Sequence, residues 1–485
     1  MSLFKSMKKK NKKKTLSIAT SILVLFGGSI PTAFAAYNPE IPTAVDPGTP
    51  VYSGLENPVP AEPVEYDPAK NMLAEIYKAD KAAGGESFWM DQILERPGSA
   101  GGVDLFTRGR ALYMFTHQPR DLGFGGGYAY REMPTGSAQN MYTITLSDTS
   151  LSEVTNERKQ YPSHWSSVHQ AAGLSVQQKK FITNNNVAVT ILEIKNTSDT
   201  SITKTLNVSS PIVTTPSEDG KELTGIQKAR YDLTTIYPRL SGEGMTVDGT
   251  KLTKSITLGA GESTTVKVQM GVTTKEIPES TTEYERFAGY DADTAYKMQL
   301  DEYNKWWSEN VPYIDIPDEN IKKMSYYRTF LNRFNYIDAN IPGNDFQFPV
   351  SIEGVLGYNN AIQLTQPMHM QDLKYFRNPI YSYGNWVSSG ESSKYSAFQD
   401  NPGDPAHWNN TYEQWIADEA WETYKVHGGD KKILNNLARY AEGDVKGQLD
   451  KYDTNKNYLV QYDWGSLTGN DADAVALNWK DRDQD

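Results

Sequence analysis

Cysteine is absent from the 485 residues, histidine occurs six times, and apolar runs of any length are confined to one place near the start. The missing thiols exclude thiolate nucleophiles, thiolate metal centres, iron–sulfur clusters and disulfide staples. The histidines, His117, His164, His169, His369, His407 and His427, never fall at i, i+4 spacing, so no histidine metal site is indicated. Positive charge is scarce as well. Lys and Arg number 48 against 60 Asp and Glu, and such a surface repels phosphate backbones, which argues against nucleic acid as a partner.

What is present is a fold-forming composition, with 38% hydrophobic and 11% aromatic residues, too apolar for a disordered polymer. Residues 1–36 read as a signal peptide. Lys5, Lys8–Lys10 and Lys12–Lys14 form a basic start, Leu16–Ile30 an apolar middle, and Ala33 and Ala35 a small-x-small ending. That middle is shorter than the ~20 residues of a spanning helix, and no second run of spanning length follows. The expectation is a protein secreted to the extracellular space or cell wall, with no membrane association after cleavage. The leader holds seven lysines and no acid, leaving 41 basic against 60 acidic groups, or −19. Without disulfides such a chain must hold together by packing, for which its aromatic rings supply area, and the same rings can stack on sugars.

Residues 37–68 contain eight prolines and read as a tether, since proline interrupts both helices and central strands. Over 69–278 the dominant signal is period-two alternation, as in Met141–Leu146 and Val187–Ile194, which predicts an antiparallel β-sandwich. Ser255–Leu258 and Thr264–Met270 flank a glycine-rich turn and read as a hairpin. The period then changes. Tyr296, Leu300, Tyr303 and Trp307 share one helical face within a linker over 279–316. Asp318 offers an N-cap for a helix whose apolar stripe is Ile321, Met324, Tyr327, Leu331 and Phe334. Thr411–Gln414 form a capping box for a helix stopped by Gly428 and Gly429. Asp430 caps the next, on which Ile433, Leu437, Tyr440 and Ala441 face inward. The fold class is α+β multidomain: an N-terminal antiparallel sandwich, a linker helix, then paired helices over 317–485.

Some motifs carry no chemistry. Gly123–Gly127 is followed by Tyr-Ala-Tyr-Arg and not by a Lys-Ser/Thr helix start, so it is a tight loop and no phosphate cradle. Asp453-Thr-Asn-Lys-Asn457 copies the first oxygen positions of a calcium loop, yet Tyr458 stands where glycine is required; a turn is the better reading and no cofactor is expected. Carboxylates and aromatic rings are dense over 350–480, and paired carboxylates beside aromatic platforms suit glycoside hydrolysis. Trp386, Trp415 and Trp464 are candidate sugar platforms. Glu353, Tyr358 and Asn359 either line a cavity or pack in a core. Asp372 either pairs with Lys374 or Arg377 or meets ligand. Asp418 and Glu419 read as a solvated or core-edge face. In Asp463–Asp473 small residues surround three acids in a loop leading to a helix, the setting in which binding residues concentrate.

Thr468-Gly469-Asn470-Asp471 resembles the Ser-Gly-x-Asp signature of family 63 glucosidases and family 37 trehalases. The order of sandwich, linker helix and helical pairs resembles the six-hairpin glycosidase superfamily over residues 69–485. That resemblance implies an (α/α)6 toroid, a carbohydrate substrate and the general-acid role for Asp471, with Asp463, Asp473 and Trp464 beside it raising its pKa. A full toroid needs about 350–400 residues at ordinary element lengths, so 317–485 is expected to be its N-terminal part, with the general-base glutamate beyond Asp485. The implied activity is inverting hydrolysis of oligo- or polysaccharides. A glycoside phosphorylase, a polysaccharide lyase and a non-catalytic glycan-binding fragment are the alternatives.

Overall fold

The computed structural model describes residues 89–98, 107–114, 116, 118, 120–130, 133–134, 140–228, 235–275, 277–314, 316–337, 350–353, 361–393, 396–398, 415–428 and 431–460. The signal peptide and tether expected over 1–68 lie outside them.

Two antiparallel sheets face one another. The smaller has five strands, among them β1 (Leu122–Phe124), β2 (Tyr142–Leu146), β6 (Ile202–Ser209), β8 (Thr246–Asp248) and β9 (Lys251–Leu258), in the order β8-β9-β6-β2-β1. The larger has eleven, its long members being β3 (Trp165–Ala171), β4 (Leu174–Ile182), β5 (Val187–Asn196), β7 (Thr235–Gly242) and β10 (Ser263–Thr273), in the order β3-β4-β5-β10-β7. Alternate residues of both sheets, such as Ile144, Leu206 and Leu252 against Leu192, Val268 and Met270, interdigitate in one core. Tyr142 crosses that core to bond Thr190 Oγ1 at 2.9 Å, satisfying a hydroxyl that burial would otherwise leave stranded.

The expected hairpin is corrected. The glycine-rich turn after Leu258 does join two strands, but they lie in different sheets: β9 pairs with β6, and β10 pairs with β5 and β7. A turn sequence reports reversal of direction and not the partner, and here each strand finds a longer ladder elsewhere.

The middle of the eleven-stranded sheet is buried on both sides. Ala188, Thr190, Leu192 and Ile194 of β5 face the smaller sheet, while Val187, Val189 and Ile191 lie under helices α2 (Pro278–Ala288) and α3 (Ala292–Asn310), which supply Tyr284, Phe287, Ala292 and Ala295. This is why β5 reads as a nearly continuous apolar run. The outward residues of β10 hold α2 in place: Gln269 Nε2 donates to Tyr284 O at 2.9 Å, and Lys267 Nζ donates to the carbonyls of Phe287 and Tyr290. Lys267 thereby caps the helix end, where a cation also meets the dipole favourably, although burial pulls its pKa down to about 8. The linker is thus two helices and not one. Helix α1 (Trp89–Leu94), inside the segment read as sandwich, packs with Trp307 and Phe330 instead.

Helix α4 (Glu319–Phe334) starts where expected, with the Asp318 side chain accepting from Asn320 N and Ile321 N at 2.9 and 3.1 Å. Of its expected stripe Phe334 is buried and Tyr327 and Leu331 are partly buried, but the centre of the buried face moves to Tyr326 and Phe330. Tyr326, Phe330 and Phe334 turn inward, while Ile321 and Met324 are 46% and 64% exposed. The i, i+4, i+8 set is the one that meets α1 and α3. Beyond it, α5 (Gln366–Leu373), α6 (Ile380–Ser392), α7 (Ile416–His427) and α8 (Lys431–Tyr452) share one core of Met370, Tyr383, Trp386, Ile416, Ile433 and Tyr440. Gly428 ends α7 at φ 67°, as its glycine pair foretells, and Ile433, Leu437 and Tyr440 face inward. Thr411–Gln414 and Asp430 lie outside the described residues.

Gly447 marks where α8 is crossed by another backbone. A Cβ there would sit 1.9 Å from Ala397 N. On an open helix Gly→Ala gains about 1 kcal/mol, but overpacking costs about 1–3 kcal/mol and wins here. Gly447→Ala is therefore expected to lower the urea midpoint; a raised midpoint would contradict this packing.

Candidate functional site

The end of the α5–α6 pair gathers polar groups that a helical core normally lacks. The short strand Val350–Ser351 brings the chain under α6, where Ser351 N donates to Asn385 Oδ1 at 2.7 Å. Gln366 Nε2 reaches the same oxygen at 3.2 Å, and Gln363 Nε2 donates to Ser389 Oγ at 3.1 Å. Gln363, Gln366, Asn385 and Ser389 are wholly buried. Buried amides with fixed partners form a rigid cradle, because each lost bond would leave a desolvated group unpaired.

Glu353 emerges from this cradle two residues after Ser351. Burial raises its carboxyl above the usual range, and a hydrogen bond with Thr365, at the start of α5, opposes that rise without cancelling it. A partly exposed carboxyl in this position can meet a ligand hydroxyl by a hydrogen bond.

The remaining expected residues divide. Tyr358, Asn359, Asp463, Trp464, Asp471 and Asp473 lie outside the described residues. Trp415 flanks the first turn of α7 and is partly exposed. Trp386 is corrected: it is 1% exposed, with Tyr383 and Tyr440 against it at 5.9 and 5.2 Å, so its indole face is core and not a sugar platform. Asp372 is corrected too. Its carboxylate bonds Arg328 and, at 3.1 Å, Asn332 Nδ2, tying α5 to α4 in place of the expected pairing with Lys374 or Arg377. Lys374 is bonded instead to Glu419 at 3.1 Å, across α5 and α7. The Asp453 segment is a turn, its carboxylate accepting from Asn457 N and Tyr458 N at 2.9 and 3.0 Å. Among the described residues no three acids or histidines gather as a metal site.

Sequence reasoning missed the amide cradle. Its signal is Asn385 and Ser389 at i and i+4 on one face of a helix rich in aromatic residues, which binary patterning reads only as a weak stripe. It also missed Asp91, Ser163 and His164. Ser163 N and Oγ both donate to Asp91, N at 3.2 Å, and Ser163 Oγ lies 2.9 Å from His164 Nδ1. This is not a nucleophile triad, because the aspartate holds the serine and not the imidazole, and all three are buried.

No protein-family model matches the chain. Similar solved structures include a protein described as a kojibiose phosphorylase from the human microbiome, 10% identical, with TM-score 0.41 over 79% of this chain and 60% of that one. A bacterial glucoamylase complexed with acarbose is 10% identical, with TM-score 0.37 over 73% and 59%. A family GH92 α-mannosidase from Bacteroides thetaiotaomicron is 10% identical, with TM-score 0.29 over 68% and 50%. This chain thus spans 50% to 60% of the length of these structures. At such identities and TM-scores the likeness is recorded and carries no argument.

Proposed function

We propose that this chain is part of a secreted carbohydrate-active hydrolase whose paired helices belong to an (α/α)6 toroid. The carrying observation is Glu353: a carboxyl pushed toward its protonated form, beside a cradle of fixed amides at one end of a helix pair. Carboxyl oxygens meet sugar hydroxyls by hydrogen bonds, and the buried amides hold the strand from which Glu353 projects. In this reading Glu353 and Trp415 contact the sugar. Asp471 protonates the departing glycosidic oxygen, and a second carboxylate roughly 6.5–9.5 Å away activates water, giving inversion.

Turnover of aryl glycosides and oligosaccharides by the full-length protein, followed by NMR of the released anomer, tests this. Asp471→Asn is expected to lower kcat by at least about a hundredfold, the scale of general-acid catalysis. Glu353→Gln should cost about tenfold in kcat/KM, one lost hydrogen bond. Retained activity in Asp471→Asn removes the acid assignment, and turnover that requires phosphate makes the protein a phosphorylase.

A further inference from the structure

A second recess opens between the sandwich and the helices, with a volume of about 260 Å³. It shares no residue with the Glu353 cradle. From the sandwich it takes Arg108 and Asn184, from α3 Gln299, Glu302 and Trp306, and from α4 Arg333.

Its walls are held from behind. Arg333 lies over the Trp306 ring at 4.6 Å, and Trp306 Nε1 donates to Tyr381 OH at 2.8 Å. Gln299 Nε2 is anchored on Ser163 O at 3.1 Å, which fixes this side chain in the wall. Glu302 receives Arg286 at 2.7 Å on one oxygen only, while burial raises its pKa. Asn184 stands exposed at the mouth. A carboxyl, two carboxamides and a guanidinium around an aromatic wall form the donor and acceptor set that reads vicinal hydroxyls on a ring with apolar faces. The volume falls just under the ~300 Å³ at which pockets for drug-sized ligands begin, so the occupant is a single ring.

We propose that this recess, whose lining is separate from the Glu353 cradle, binds one neutral hexose unit. Glu302 and the Asn184 and Gln299 amides take the hydroxyls, and the Trp306 wall takes a ring face.

Saturation-transfer NMR and calorimetry on the full chain, with methyl α-D-glucopyranoside and methyl α-D-mannopyranoside as probes, test it. At least one should bind saturably with Kd in the millimolar range. Glu302→Gln should weaken binding about tenfold and Asn184→Ala about threefold, each the loss of part of a hydrogen-bond set. Asn184 is exposed, so its variant reports even if Glu302→Gln destabilises the fold. Binding is read apart from turnover, so failure of the catalytic reading leaves this result standing. Absence of saturable binding by both probes, or parental affinity in Asn184→Ala and Glu302→Gln, overturns the site.

Discussion

Lys374→Met is expected to destabilise the protein by about 3–5 kcal/mol, the range for removing one partner of a buried pair. The Lys374 and Glu419 side chains are 11% and 6% exposed, and Glu419 also accepts from Gln371 Nε2 at 3.1 Å. Without the ammonium, the carboxylate of α7 remains in the interior facing α5. The loss is large because the charge stays behind, and the intact pair need contribute little by itself. Lys374→Met combined with Glu419→Leu should accordingly recover most of the stability, which a double-mutant cycle in urea measures. A cost under about 1 kcal/mol for the single change would show that the pair is hydrated.

The second large effect is a pH dependence that appears only when one of two groups is removed. Burial raises the Asp91 carboxyl from 3.8 to about 7 and lowers the His164 imidazole from 6.5 to about 3. Lys179 adds to the lowering of His164, whose ring also stacks on Tyr161 at 4.5 Å and meets Tyr296 edge-on. Taken alone, Asp91 holds a proton in the folded chain that the unfolded chain releases, so its contribution falls as pH rises from about 4 to 7. Taken alone, His164 refuses a proton that the unfolded chain accepts, so its contribution rises with pH from about 3 to 6.5. Between these limits folded and unfolded chains each carry one proton on the pair, and the slopes cancel.

Asp91→Asn should uncover the histidine: relative to the parent, stability drops by up to about 1.4 kcal/mol per pH unit as pH falls below 6.5. His164→Gln should uncover the aspartate, with stability dropping at a similar rate as pH rises from about 4 to 7. Urea midpoints across that window, taken as differences from the parent, measure both. Parallel profiles for all three proteins would mean that the pair is not a desolvated neutral couple.

Local chemistry is legible where a residue acts on its own neighbours. Asp318 caps α4, Gly428 ends α7, and the stripe through Ile433, Leu437 and Tyr440 faces the core, because each depends on backbone geometry within about one turn. The candidate site was less legible. Glu353 was in view as a cavity or core residue, but the buried polar cradle next to it in sequence is assembled from three separate stretches, at Ser351, Gln363–Gln366 and Asn385–Ser389. Trp386 shows the limit from the other side: an indole suited to stacking on sugar is equally suited to packing against Tyr440.

Composition and periodicity by themselves determined the chemical classes excluded, the change from strand to helix near residue 278, the start of α4 and the end of α7. Tertiary structure decided that Leu258 and Ser263 open onto opposite sheets, that α4 turns Phe330 inward and Met324 outward, and that Asp372 serves Arg328. The physical reason is the range of the forces. Capping, turns and side-chain periodicity are settled within a few bonds, whereas strand pairing, the choice of buried face and the partner of a charge depend on which distant segment excludes water from them.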